Sequence, residues 1–219
     1  MTNFFESKAK NIMAIIFSCF YAFMTFIGFD FNFAHYANLR YAVNTISSNV
    51  ALLLLPVAVI VFIALRKKDF TFKKWLLPIA FGLMLVKSAI SLYYSVMNTI
   101  TVFDGEIHRT VLSLLTISAL SFVAITVMFV GTLGDFKLAA LLKYGALSYA
   151  VITLLFLVFD FIAAGGLEYF EKISDLTDSV TFWIFYIRSL MVFIAQILFY
   201  IGLFILFPAK KTSKEQITA

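Results

Sequence analysis

The chain is short of charge, glycine, proline, histidine and cysteine. Of 219 residues, 13% are Asp, Glu, Lys or Arg, and there are nine glycines, three prolines, two histidines and one cysteine. A lone Cys19 excludes an intrachain disulfide and a cysteine-based metal cluster. The two histidines, His35 and His108, stand without supporting cysteines or paired acids. They make no zinc signature, and HExxH, GxSxG and the P-loop are all absent. No metal and no cofactor are expected. The net charge of +5 fits cytoplasmic loops rich in Lys and Arg, so no nucleic-acid partner is expected.

Apolar residues take the place of what is missing. They make up 63% of the chain, Phe alone supplying 27 residues, and the mean hydropathy is +0.99. A soluble domain must keep a polar exterior and could not hide this much apolar surface; hydrocarbon as solvent removes that constraint. A hydrocarbon core of about 30 Å needs roughly 20 helical residues. Six runs approach or reach that length: 12–29, 49–65, 75–97, 111–131, 138–163 and 182–207. They lack the alternation of a membrane barrel, and lipid leaves helix as the way to satisfy the backbone. The expected fold is therefore an all-α integral membrane protein, one six-helix transmembrane domain over residues 1–219. Pro208 and Gly165-Gly166 punctuate span ends, and Asp178 or Ser179 can cap the sixth span. Pro56 and Pro78 lie in or near spans and are candidate bends.

Lys and Arg divide unevenly between alternate loops. Twelve fall on the side that holds both termini, and three (Arg40, Arg109 and Lys172) on the other. The positive-inside rule then puts both termini in the cytoplasm and the protein in the cell (cytoplasmic) membrane. The first run, "KAKNIMAIIFSCFYAFMTFIGFDF", is too long for a signal peptide's apolar core and has no small-residue cleavage site after it. On the outer side, "DFNFAHYANLRYAVNTISSN" and "GGLEYFEKISDLTDSV" are the long connections, where a ligand site is expected to open.

Three ionisable residues fall within spans: Lys87, Asp160 and Arg188. Such groups are costly in hydrocarbon and face a bundle interior or a watery cavity. Asp160 and Arg188 lie at similar depth near the outer ends of spans five and six, which suits a structural ion pair. Lys87, in "FGLMLVKSAISLYYSVMN", is about 15 Å from the outer end of its span, beyond what snorkelling hydrates. Ser91, Tyr94, Ser95 and Asn98 share its face within an arc of about 100°. This polar strip is expected to wall an outward-open cavity for a small polar or anionic solute. Lys87, Ser91, Tyr94 and Asn98 would line it, with Gln196 of span six facing them. The competing reading is polar glue between helices. Ala14, Ser18 and Ala22 form a small-residue stripe that allows close helix approach, within the chain or to a membrane partner subunit.

Two resemblances give further expectations. "RYAVNTISSN", with Thr45, and "IHRTVL", with His108, resemble the androgen-induced family of six-span threonine hydrolases. That resemblance covers sixteen residues, and Ser113 stands where the family pattern leads one to expect proline. It implies lipid-ester hydrolysis with Thr45 as nucleophile and His108 as base, an arrangement that is workable chemistry. The architecture also resembles the membrane-embedded substrate-binding subunits of energy-coupling-factor transporters. These share six spans, inward termini, outward binding loops and a small-residue stripe on the first helix. The leading expectation is solute binding or transport without catalysis. A membrane hydrolase is the first alternative, and a scaffold or accessory subunit the second.

Overall fold

The fold was obtained as a computed structural model. It describes the backbone of residues 2–27, 39–65, 73–101, 109–133, 138–163 and 179–207. Side chains are described within 8–27, 49–65, 75–100 (Asn98 excepted), 115–133, 138–159 and 187–207.

Among the described residues six helices form: α1 Thr2–Ile27, α2 Leu39–Leu65, α3 Lys73–Thr101, α4 Arg109–Thr132, α5 Ala139–Ala163 and α6 Ser179–Leu206. No strand occurs among the described residues. Five helices hold windows long and apolar enough to cross a membrane: Lys8–Ile27, Trp75–Met97, Leu115–Thr132, Ala139–Phe159 and Ile187–Leu206. This marks a membrane-embedded protein. In α2 the described apolar part is the shorter Asn49–Leu65.

Several helices outrun the apolar runs. α1 starts ten residues before position 12 and α2 ten residues before position 49. The apolar run marks the length suited to hydrocarbon, whereas backbone hydrogen bonding continues into the polar interface. One consequence corrects the expected loop around Thr45, because that residue lies within α2. α6 starts at Ser179 and stops at Leu206, two residues before Pro208, which has no N–H and turns its predecessor away from helical geometry. The Phe207 amide donates to the Leu203 carbonyl at 3.2 Å, closing the last turn. Pro56 and Pro78 lie inside α2 and α3, and both helices run on past them.

Each helix packs on its sequence neighbours, and α6 returns to pack on α1. The result is a closed ring of six helices. Along α3–α6 and across the α6–α1 closure, neighbours run antiparallel. Ser95 meets Ser118 while Gly82 meets Phe129, and Gly131 meets Leu142 while Gly145 meets Met128. Phe156 meets Phe193 while Tyr149 meets Tyr200, and Ala14 meets Gly202 while Tyr21 meets Phe199.

Inside a membrane, apolar surface gains nothing by choosing a helix over a lipid tail, so close steric fit and polar contacts hold the ring. Glycines mark the tight seams. A Cβ on Gly131 would run into the Leu142 backbone, and one on Gly145 would lie 2.7 Å from Met128 Cγ. Gly202 sits against Ala14 and Phe17 of α1. Ala14 and Ser18 of the small-residue stripe are buried within the chain, and the Ser18 hydroxyl donates back to the Ala14 carbonyl at 2.7 Å. Outward faces carry large apolar side chains such as Ile16, Phe23, Val86, Leu155 and Phe159.

Candidate functional site

Four helices of the ring, α3 to α6, line a half-open cavity of about 330 Å³. Its lining follows helical spacing. Lys87, Ser88, Ser91 and Ser95 come from α3, and Ile117, Ser118 and Ser121 from α4. Tyr149, Ile152, Thr153 and Phe156 come from α5, and Phe193 and Gln196 from α6. Each set recurs at three or four residues, so one stripe of each helix faces the space. The polar majority is unusual for a helix-bundle interior: five serines, a threonine, a phenol, an amide and a lysine.

Depth follows from the helix lengths. Lys87 is fourteen residues from each end of α3, about 21 Å either way. Tyr149 and Gln196 fall at the middles of the apolar windows Ala139–Phe159 and Ile187–Leu206. The three converge near mid-bundle. None of the described side chains is a carboxylate, and Lys87 carries the only formal charge among the described lining residues. A lysine at this depth needs solvation or an anionic partner.

Hydrogen bonds tie the walls together. Gln196 Nε2 donates to the Tyr149 hydroxyl at 3.3 Å, joining α6 to α5. The Ser95 and Ser118 hydroxyls share a hydrogen bond at 2.9 Å, joining α3 to α4. Thr153 donates to the Tyr149 carbonyl at 2.9 Å, an intrahelical bond that satisfies a buried hydroxyl. The Phe156 and Phe193 rings meet at 5.8 Å across the α5–α6 seam and complete the lining with apolar surface. Comparison with protein-family models, curated proteins and solved structures gives no match.

Lys87, Ser91 and Gln196 thus meet in one cavity wall, brought there from α3 and α6. Tyr94 is not among the lining residues; its ring lies against Tyr93, with centroids 5.6 Å apart. The face toward the cavity is rotated toward Ser88, which takes Tyr94 off it. The side chains of Asn98, Asp160 and Thr45 lie outside the described residues, as does all of His108. The expected Asp160–Arg188 pair and the Thr45–His108 pair therefore fall outside the described structure.

The α4 and α5 contributions had weaker signals in the sequence. Ser118 and Ser121 stand three apart in α4, and Tyr149 and Thr153 four apart in α5. Both spacings put polar groups on one helical face of an otherwise apolar run. A first expected outcome concerns the Ser95–Ser118 bond. Ser95→Ala should lower stability by about 0.6 kcal/mol, the average for an interhelical hydrogen bond in a membrane protein. Unfolding titrations in mixed detergent would measure it, and no change would show that the two hydroxyls do not bond.

Proposed function

We propose that the chain is a six-span protein of the cytoplasmic membrane, with both termini inside. In this reading it binds or transports a small polar or anionic solute through a cavity that opens outward. Lys87 supplies the charge complement, and Ser91 and Gln196 hydrogen-bond the solute's polar groups. The observation that carries this reading is Lys87 at the middle of α3, in the wall of a hydroxyl-rich cavity with no other formal charge among its described lining residues. An anion in that space would meet one cation and a set of rotatable hydroxyl donors.

Chain polarity supports an outward opening. Ser91 and Ser95 lie in the C-terminal half of α3, and Ser118 and Ser121 in the N-terminal half of α4. Those halves adjoin the connection on the side poor in Lys and Arg, which is the outer side by the charge rule. Cysteine accessibility tests this. In a Cys19→Ser background, Ser91→Cys should react with a charged, membrane-impermeant methanethiosulfonate added to intact cells. Reaction only from the cytoplasmic side, or none, overturns the outward-open cavity.

A further inference from the structure

Three buried hydroxyls stand on α1 and α6. Tyr21 and Thr25 of α1 and Tyr200 of α6 are 1%, 6% and 0% exposed. The Tyr200 hydroxyl has no hydrogen-bond partner among the described residues, and the Tyr21 and Thr25 hydroxyls, one helical turn apart, have at most each other. Folded proteins pair nearly all such groups, because a buried hydroxyl that leaves water loses bonds it must regain inside. In lipid the demand is stronger, since there is no solvent behind the helix to serve instead.

Tyr21 and Tyr200 are connected to each other and to the cavity. The Tyr21 ring stacks on Phe199 at 5.0 Å, and Phe199 meets Tyr200 edge-on at 5.1 Å. The Tyr200 ring lies 4.4 Å from that of Tyr149, the cavity residue that accepts from Gln196. Thr25 follows Tyr21 by one helical turn on α1, so the two share a face. Side chains on a helix lean toward its N-terminus, so antiparallel α1 and α6 aim Tyr21 and Tyr200 toward each other.

We propose that Tyr21, Thr25 and Tyr200 form an inner subsite for a neutral hydrogen-bonding oxygen, joined to the Lys87 cavity through Tyr149. The chemistry follows from the donor set. Each hydroxyl can both donate and accept, and an oxygen with lone pairs and a proton answers them all. No cation stands among these three residues, so the subsite does not take an anion, which would need a charged partner at this depth. Two sources fit: a bound water, or a hydroxyl of the molecule held by Lys87. Only the second rests on the cavity reading above.

Two measurements separate the sources. X-ray radiolysis of the purified, ligand-free protein oxidises buried tyrosines that touch bound water, and Phe199, 1% exposed and against both rings, is the dry reference. Oxidation of Tyr21 and Tyr200 well above Phe199 identifies water. The second measurement is calorimetric titration with acetate and with gluconate, a carboxylate that also carries hydroxyls. If the oxygen belongs to the ligand, the tyrosines stay unoxidised. Tyr200→Phe then weakens gluconate about tenfold, the worth of one hydrogen bond, and leaves acetate unchanged. Tyrosines as inert as Phe199, with gluconate and acetate unaffected by Tyr200→Phe, overturn the subsite. If wild type binds neither anion, the cavity reading loses its anion and radiolysis alone decides the subsite.

Discussion

Replacing Lys87 with methionine is expected to lower affinity for small carboxylates about a hundredfold and to raise the melting temperature of the empty protein. The two effects have one cause. Methionine keeps the length and apolar stem of lysine and removes the ammonium. An anion in the cavity then loses its charge complement, and truncating one partner of a buried charge pair costs about 2–5 kcal/mol. In the empty protein the same change removes a group that hydrocarbon disfavours, and the helix ring gains stability. The sign of the stability change gives the experiment its force. If Lys87 instead served as polar glue or in a structural ion pair, methionine would lower the melting temperature and leave anion binding unaltered. Titration calorimetry with acetate and gluconate, beside thermal unfolding in detergent, reads both. Lys87→Arg keeps the charge but presents a larger planar group, so it should restore affinity only in part.

The second large effect is on the fold. Gly131→Ala is expected to destabilise the protein by about 1–3 kcal/mol, the usual cost of overfilling a tight interface. A Cβ at Gly131 meets the amide nitrogen and Cα of Leu142, which are backbone atoms and cannot rotate away. α4 and α5 would have to separate near the ends where they join. Gly82→Ala is the matched control. Its Cβ would lie 3.5 Å from Phe129 Cε2, an ordinary contact, and alanine is the better helix former. In a chain of this size each kcal/mol moves Tm by about 2–4 °C. Thermal unfolding should therefore show a clear drop for Gly131→Ala and none for Gly82→Ala. Equal behaviour of the two variants would refute the close α4–α5 seam.

The cavity shows why a site can be half visible in a sequence. Lys87 and Ser91 stand out because charge and hydroxyls interrupt an apolar run at helical spacing, and that spacing is local. The cavity face includes Ser88 and not Tyr94, because spacing fixes relative angles and only a neighbour fixes which angle points inward. Gln196 was also visible as a polar group near mid-membrane. That it donates to Tyr149 of α5, and that Ser95 bonds Ser118 of α4, were not visible, since nothing in one helix names the residue opposite. The buried hydroxyls of Tyr21 and Tyr200 are silent for the same reason: aromatic residues in apolar runs look like packing until their surroundings are known.

What the sequence alone determined is the solvent and the local conformation. Transfer of each apolar run into hydrocarbon is a property of that run, and a backbone in lipid must bond within itself, so helices follow. Pro208 set the end of α6 by the same local logic. The tertiary structure alone decided that the helices close into a ring and that α3 to α6 line a shared polar cavity. Helices in lipid gain little from hiding apolar surface in each other. Their arrangement is set by where Gly131, Gly145 and Gly202 let backbones approach and by where hydroxyls find partners. Those are relations between distant segments, and they exist only once the chain has folded.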